Sequence, residues 1–162
     1  MKPRVRSAGL RPGMLPLLLM AVLAAGCRTA PPLPPADFSA PGWCVQQGQA
    51  VWQAGANRPE LAGDLLLATN ATGNVFIQFS KMPFPLATAH IYGDQWQIEF
   101  GADKFSWHGR GTPPDRFTWF QLPRALLGAD PGDNWKFSHP TAHSWRLENR
   151  RTGEVLEGEF FP

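Results

Sequence analysis

The residues able to do covalent or metal chemistry are few and scattered. Four histidines occur, at His90, His108, His139 and His143. His139 and His143 have a spacing found in zinc sites, yet Pro140 stands between them and no Cys, Asp or Glu cluster joins them. Zinc needs three or four converging ligands, so the pair is expected to face solvent, and no metal or other cofactor is expected. Glu157 and Glu159 have strand spacing and would share one face. So near the carboxy terminus they suit a solvated edge better than an acid/base pair. Ser80 and Ser106 have no evident base partner, and no His/Asn pattern activates Cys44, which is expected as a small buried hydrophobe. No Gly-x-Ser-x-Gly elbow, no phosphate-cradling Gly-Lys-Ser/Thr loop and no Gly-x-Gly-x-x-Gly fingerprint is present. The chain is not expected to be an enzyme.

The remaining candidate is Cys27. A basic segment, Met1 to Arg11, leads into an apolar run from Met14 to Ala25, followed by Gly26-Cys27. This order is that of an export signal over 1–26. The run is too short for a permanent membrane helix, which needs ~20 apolar residues. Leu23-Ala24-Ala25-Gly26-Cys27 resembles the bacterial lipobox, with Ala24 where Leu is usual and Leu23 one place early. That resemblance implies cleavage before Cys27 and lipid attachment to it, with two or three acyl chains holding the protein stably where one would hold it marginally. The alternative is an ordinary secretory signal in which Cys27 falls by chance. Residue 28 is Arg, not the Asp that retains many lipoproteins in the inner membrane. The expected location is the bacterial outer membrane, on its periplasmic face.

Charge and composition narrow the partners. The 162 residues carry a formal charge of +2, but four of the fifteen basic residues lie in the first eleven positions. From residue 27 onward, the eleven that remain face thirteen acidic residues, a balance of −2. Nucleic acid requires a concentrated basic face and is not an expected partner. Thr29 to Gly42 holds five prolines in fourteen residues, a density that favours extended polyproline II and supplies no core. Residues 27–42 are therefore expected as a lipidated Cys and tether, and 43–162 as a single β-rich globular domain, expected to be a monomer.

The dominant period in that domain is two. Val75, Ile77 and Phe79 share one face, as do Trp96, Ile98 and Phe100, with Gln95, Gln97 and Glu99 opposite. Lys104–His108, Trp135–Phe137 and Ser144–Glu148 repeat the alternation, and further strands are expected at 49–53, 61–69, 86–92 and 155–161. Short turns such as Asn70–Asn74, Gly93-Asp94, Gly101–Asp103 and Arg151–Gly153 separate them. The pattern predicts a mainly β fold, an antiparallel up-and-down meander with one wetted face. Pro114–Gly128 breaks the period: Phe117 and Phe120 are three apart, as are Trp119 and Leu122, and Leu126 follows Leu122 by four. Asp115 as cap, Pro123 at a first position and Gly128 as stop predict two short helices, or one broken at Pro123, packed on the inner face of the sheet.

Seven tryptophans and eleven phenylalanines exceed what a flat sheet of this length needs. They either line a cavity with rigid apolar walls or fill a core beneath the helix. Phe84, clamped between Pro83 and Pro85, cannot lie in a sheet interior; it is either tucked under the rim or exposed as a knob touching membrane or a partner.

The lipobox-like cysteine, the meander, the phrase Phe117-Thr-Trp-Phe-Gln-Leu-Pro-Arg-Ala-Leu-Leu-Gly128, the following Asn134-Trp-Lys136 and the last pair of strands together resemble the LolA/LolB type of lipoprotein-carrier domain. The resemblance spans residues 48 to 162 and lies in the order of elements. It implies a curved, incomplete antiparallel barrel closed by short helices, whose apolar concavity receives acyl chains of lipids or of another lipoprotein during sorting to the outer membrane. Under it, Ile77, Phe79, Trp96, Ile98, Phe100, Phe105 and Trp107 are the expected wall, and Phe117, Phe120 and Leu126 the lid. The competing expectation is an accessory lipoprotein that binds a protein partner in an envelope assembly and has no ligand cavity.

Overall fold

A computed structural model describes residues 33–101 and 105–162. Nine strands form one antiparallel sheet: β1 (Trp43–Gln53), β2 (Glu60–Asn70), β3 (Val75–Lys81), β4 (Phe84–Tyr92), β5 (Gln95–Phe100), β6 (Phe105–Arg110), β7 (Trp135–Ser138), β8 (Ser144–Asn149) and β9 (Val155–Phe160). Among the described residues one helix, α1 (Thr118–Leu126), lies between β6 and β7. The sheet order is β6-β5-β4-β3-β2-β1-β9-β8-β7, so β6 and β7 are its two edges and the sheet does not close into a barrel. The fold is mainly β with one short helix, as the periodicity predicts. The meander is interrupted once. After β6 the chain passes through α1 to the far edge and returns inward, so that β9 pairs with β1.

Register decides which side chains share a face. Residues directly paired across an antiparallel ladder point the same way. Trp52 pairs with Leu61 and Leu156, Leu65 with Phe79, Ile77 with Ala89, and Ala89 with Ile98. These positions, with Trp145, Leu147 and Trp135 on the short arm, form one continuous inner face, and most are buried. Two glycines permit the coiling this requires. A Cβ on Gly158 would sit on the Gln49 carbonyl oxygen, and one on Gly63 would meet the Ser80 carbonyl and lie 3.0 Å from the Phe79 ring. Adjacent strands thus approach more closely there than any larger residue allows.

The helix differs in detail from expectation. It is single and continuous, with Pro123 inside it. Only one intrahelical bond depends on the missing Pro123 N–H, and the buried face holds the rest in place. Phe117, not Asp115, is the N-cap residue, and no side chain caps it. The Asp115 carbonyl instead accepts a hydrogen bond from Trp135 Nε1 at 2.8 Å, which fixes the loop ahead of α1. Gly128 ends the helix as predicted, at φ +80° with its N–H on the Ala125 carbonyl.

Three further expectations are corrected. Cys44 is exposed, because the first five residues of β1 contribute nothing to the core. β9 is an interior strand, so Glu157 and Glu159 lie mid-sheet, opposite Arg146 and Ser144. The Pro-rich segment from Leu33 onward does supply packing: Phe38 sets its ring edge-on against Phe76 at 5.1 Å and Trp43 at 5.7 Å. Residues 1–32, where the signal segment, Cys27 and the first part of the tether are expected, lie outside the described residues, as do Ala102, Asp103 and Lys104.

Candidate functional site

The inner face and the helix that covers it are where the sequence-predicted wall and lid converge. Ile77, Phe79 and Ile98 have no exposed surface, Trp96 is buried at 8%, and Phe117 and Phe120 are buried beneath the chain. Phe100 and Leu126 are half-buried at the periphery of this cluster. The wall and lid residues are therefore brought together, and they touch. Trp96 meets Phe120 edge-on at 5.8 Å, and Phe117 bridges Trp96, Trp107 and Phe120 at 5.7–6.2 Å.

The side chain that fills the centre is Trp119. It stacks on Phe79 at 5.4 Å and meets Trp52 edge-on at 5.3 Å, while Trp52 stacks on Phe100 at 6.0 Å. Offset and edge-to-face pairs of this kind add ~0.5–1.5 kcal/mol each beyond area burial. Sequence reasoning placed Phe117, Phe120 and Leu126 in the lid and missed Trp119 and Trp52 as the plug. Trp119 precedes Leu122 by three, the signal that could have found it. In this conformation the seven inner rings and their aliphatic neighbours occupy the hollow.

Two predicted wall residues behave differently. Phe105 and Trp107 point to the same face but remain 67% and 42% exposed, on the edge strand β6, which pairs with β5 alone. They form an aromatic sill at the open side of the sheet, beside Phe100 and Phe117. Phe84 is 60% exposed and Met82 85% exposed at the β3–β4 turn, so the proline-clamped ring is a surface knob. It pairs with Lys81 as the first residue of β4 rather than lying in the sheet interior.

The interface between α1 and the sheet is not purely apolar. Gln121 is wholly buried, and among the described residues its Nε2 finds no hydrogen-bond partner; the same holds for Trp96 Nε1 and Trp119 Nε1. Each buried donor left unsatisfied costs ~1–3 kcal/mol. Glu154 lies next to this interface, accepting from Trp52 Nε1 at 2.9 Å. Burial raises its carboxyl above the ordinary glutamate range, the hydrogen bond from Trp52 offsetting part of that rise.

A second concavity, a groove of about 590 Å³, lies across β8, β9, β1 and β2. Gln49, Asp64, Trp145, Glu157 and Glu159 are among its lining. Glu157 is already paired with Arg146, both half-exposed. His139 is held by its own turn, its Nδ1 3.2 Å from the Ser144 carbonyl and its ring edge-on to Phe137. Among the described residues no three His, Cys, Asp or Glu side chains converge as metal ligands. No family model matches this chain, and no curated protein matches it.

Proposed function

We propose that the protein is a lipoprotein anchored through Cys27 in the outer membrane, facing the periplasm, whose inner face takes an acyl chain of a lipid or of another lipoprotein when α1 lifts. The observation that carries this reading is the nature of the cover. One nine-residue helix with an internal proline, no side-chain cap and unpartnered buried donors spans a sheet that never closes. Beneath it lies a continuous apolar face, and beside it the exposed aromatic sill of Phe105 and Trp107. At ~0.8 kcal/mol per buried methylene, a sixteen-carbon chain supplies on the order of 12 kcal/mol, enough to offset displacement of so small an element. The process moves a chain between apolar environments and involves no covalent step.

A second reading, an accessory lipoprotein that docks a protein partner and has no ligand cavity, is favoured by the complete burial of Ile77, Phe79 and Ile98. Titration of the full chain with a fluorescent fatty acid separates the two. Carriage predicts saturable one-to-one binding with quenching of the inner tryptophans. Absence of binding, together with native masses free of lipid, leaves the partner-docking reading.

A further inference from the structure

The amino-terminal segment Leu33–Gly42 is seated on the face of the sheet opposite α1. The Leu33 N–H donates to Gln97 Oε1 at 3.1 Å, and Phe38 fits edge-on to Phe76 and Trp43. Between these points a tight turn is tied by Asp37, which accepts from Ser39 N–H at 3.0 Å and Ser39 Oγ at 2.6 Å. The seat contains one ionisable side chain that is almost fully buried. His90 is 8% exposed, its ring lies 5.8 Å from Phe76 and 6.2 Å from Tyr92, and its Nε2 has no partner among the described residues. A gap of about 290 Å³ separates segment and sheet, lined by Pro34, Asp37, Pro41, Trp43, His90 and Tyr92 among others.

We propose that residues 33–42 form a releasable strap, and that protonation of His90 beneath it unseats the strap. An imidazolium under the strap has no protein partner at Nε2 among the described residues, and its burial costs solvation. The groups facing His90 do not reverse this. Phe76 on β3 is apolar. Gln97 on β5, opposite His90 in register, is committed to Leu33 through Oε1 and to Glu99 through Nε2. His108 on β6 lies beyond Gln97, Tyr92 is on the same strand, and on the strap itself Asp37 accepts from Ser39 through Oδ1 and is exposed, so solvent screens its charge. Burial accordingly lowers the His90 pKa below the ordinary imidazole value of 6.5. Neutral His90 favours the seated strap, so seating is complete above pH 6.5 and is lost as pH falls below it. Where Cys27 is the anchor, a consequence that rests on the reading above, unseating frees ten residues and lengthens the reach of the domain by about 30 Å at ~3.1 Å per residue.

Nuclear magnetic resonance of the full chain in bicelles from pH 8 to 5 tests the strap. The Leu33 amide, the Trp43 indole and the His90 ring are expected to move with one shared midpoint below 6.5. The seated-to-released ratio should fall about tenfold for each pH unit by which seating lowers that midpoint. His90→Gln should hold the strap seated at pH 5. Should this variant not fold, Phe38→Ala is expected to release the strap at pH 7.5 and return His90 to its ordinary titration. An unmoved Leu33 amide while His90 titrates, or release of His90→Gln at the wild-type midpoint, overturns the proposal. Repeating the titration on Cys27→Ser keeps the strap independent of the anchor: loss of membrane association there bears only on lipidation.

Discussion

Trp52 Nε1 donates to Glu154 Oε1 at 2.9 Å, joining residues 102 positions apart in the chain. The bond ties the end of β1 to the start of β9 directly beneath α1, at the seam where the six-strand meander meets the returning three-strand arm. A carboxylate there is held in a poorly solvated place, and burial raises its pKa. The folded chain therefore binds the Glu154 proton more tightly than the unfolded chain does. The resulting contribution to stability is present at low pH and is lost as pH rises from the ordinary glutamate value through the raised one. Glu154→Gln keeps an acceptor for Trp52 and removes the charge. It is expected to raise the urea midpoint at pH 8 and leave it unchanged at pH 4; equal midpoints at pH 8 would show that water reaches the carboxylate.

Gly158 lies between β1 and β8, where its missing side chain lets the Gln49 carbonyl and the Trp145 ring close over it. Gly158→Ala must push strand from strand, because the nearest atoms, the Gln49 carbonyl oxygen and the Ala50 Cα, are backbone and cannot swing aside. A destabilisation of about 1–3 kcal/mol is expected from overpacking of this kind, measured as a lower urea midpoint with an unchanged slope. Gly73→Ala, at a surface turn with open space around it, isolates the effect of positive φ from the effect of contact.

Much of this architecture is legible in the sequence because period two carries it. The Trp96-Ile98-Phe100 and Val75-Ile77-Phe79 faces point as their alternation requires, and Gly128 stops the helix where only a left-handed residue fits. What escaped was long-range. Nothing local to Trp52 or Glu154 indicates that they meet, and nothing near Glu157 says that β9 is interior rather than an edge, since that depends on β9 returning to β1. Trp119 was harder to weigh than Phe117 or Phe120 because position along a helix gives the face but not the depth. Phe38 lay hidden in a proline-rich stretch whose composition reads as tether, although one aromatic ring with a complementary slot is enough to seat it.

Trp119 is the plug that decides between a filled core and a lifted lid. Trp119→Ala removes the ring stacked on Phe79 and leaves a void, with an expected cost of ~3–5 kcal/mol. If the inner face accepts acyl chains, the same void lowers the work of admission. The variant should bind a fluorescent fatty acid more tightly than wild type even as its thermal midpoint falls, and saturating ligand should restore part of that midpoint. A variant that is destabilised and still binds nothing would speak for a sheet whose aromatic surplus serves packing alone.

Phe84 and Met82 project from the β3–β4 turn with little to hold them, so their loss should hardly alter folding. Surface substitutions of this kind stay within about 0.5 kcal/mol. Burial of one phenylalanine in a lipid interface contributes ~1.5–3 kcal/mol, and 1.4 kcal/mol is a factor of ten in affinity. Phe84→Asp, made in a Cys27→Ser background to remove the proposed anchor, should therefore weaken flotation with phosphatidylethanolamine–phosphatidylglycerol vesicles at least about tenfold while the urea midpoint stays put. Equal flotation of the two proteins would assign the knob to a protein partner, and a fallen midpoint would show that the ring supports the hairpin rather than reaching beyond it.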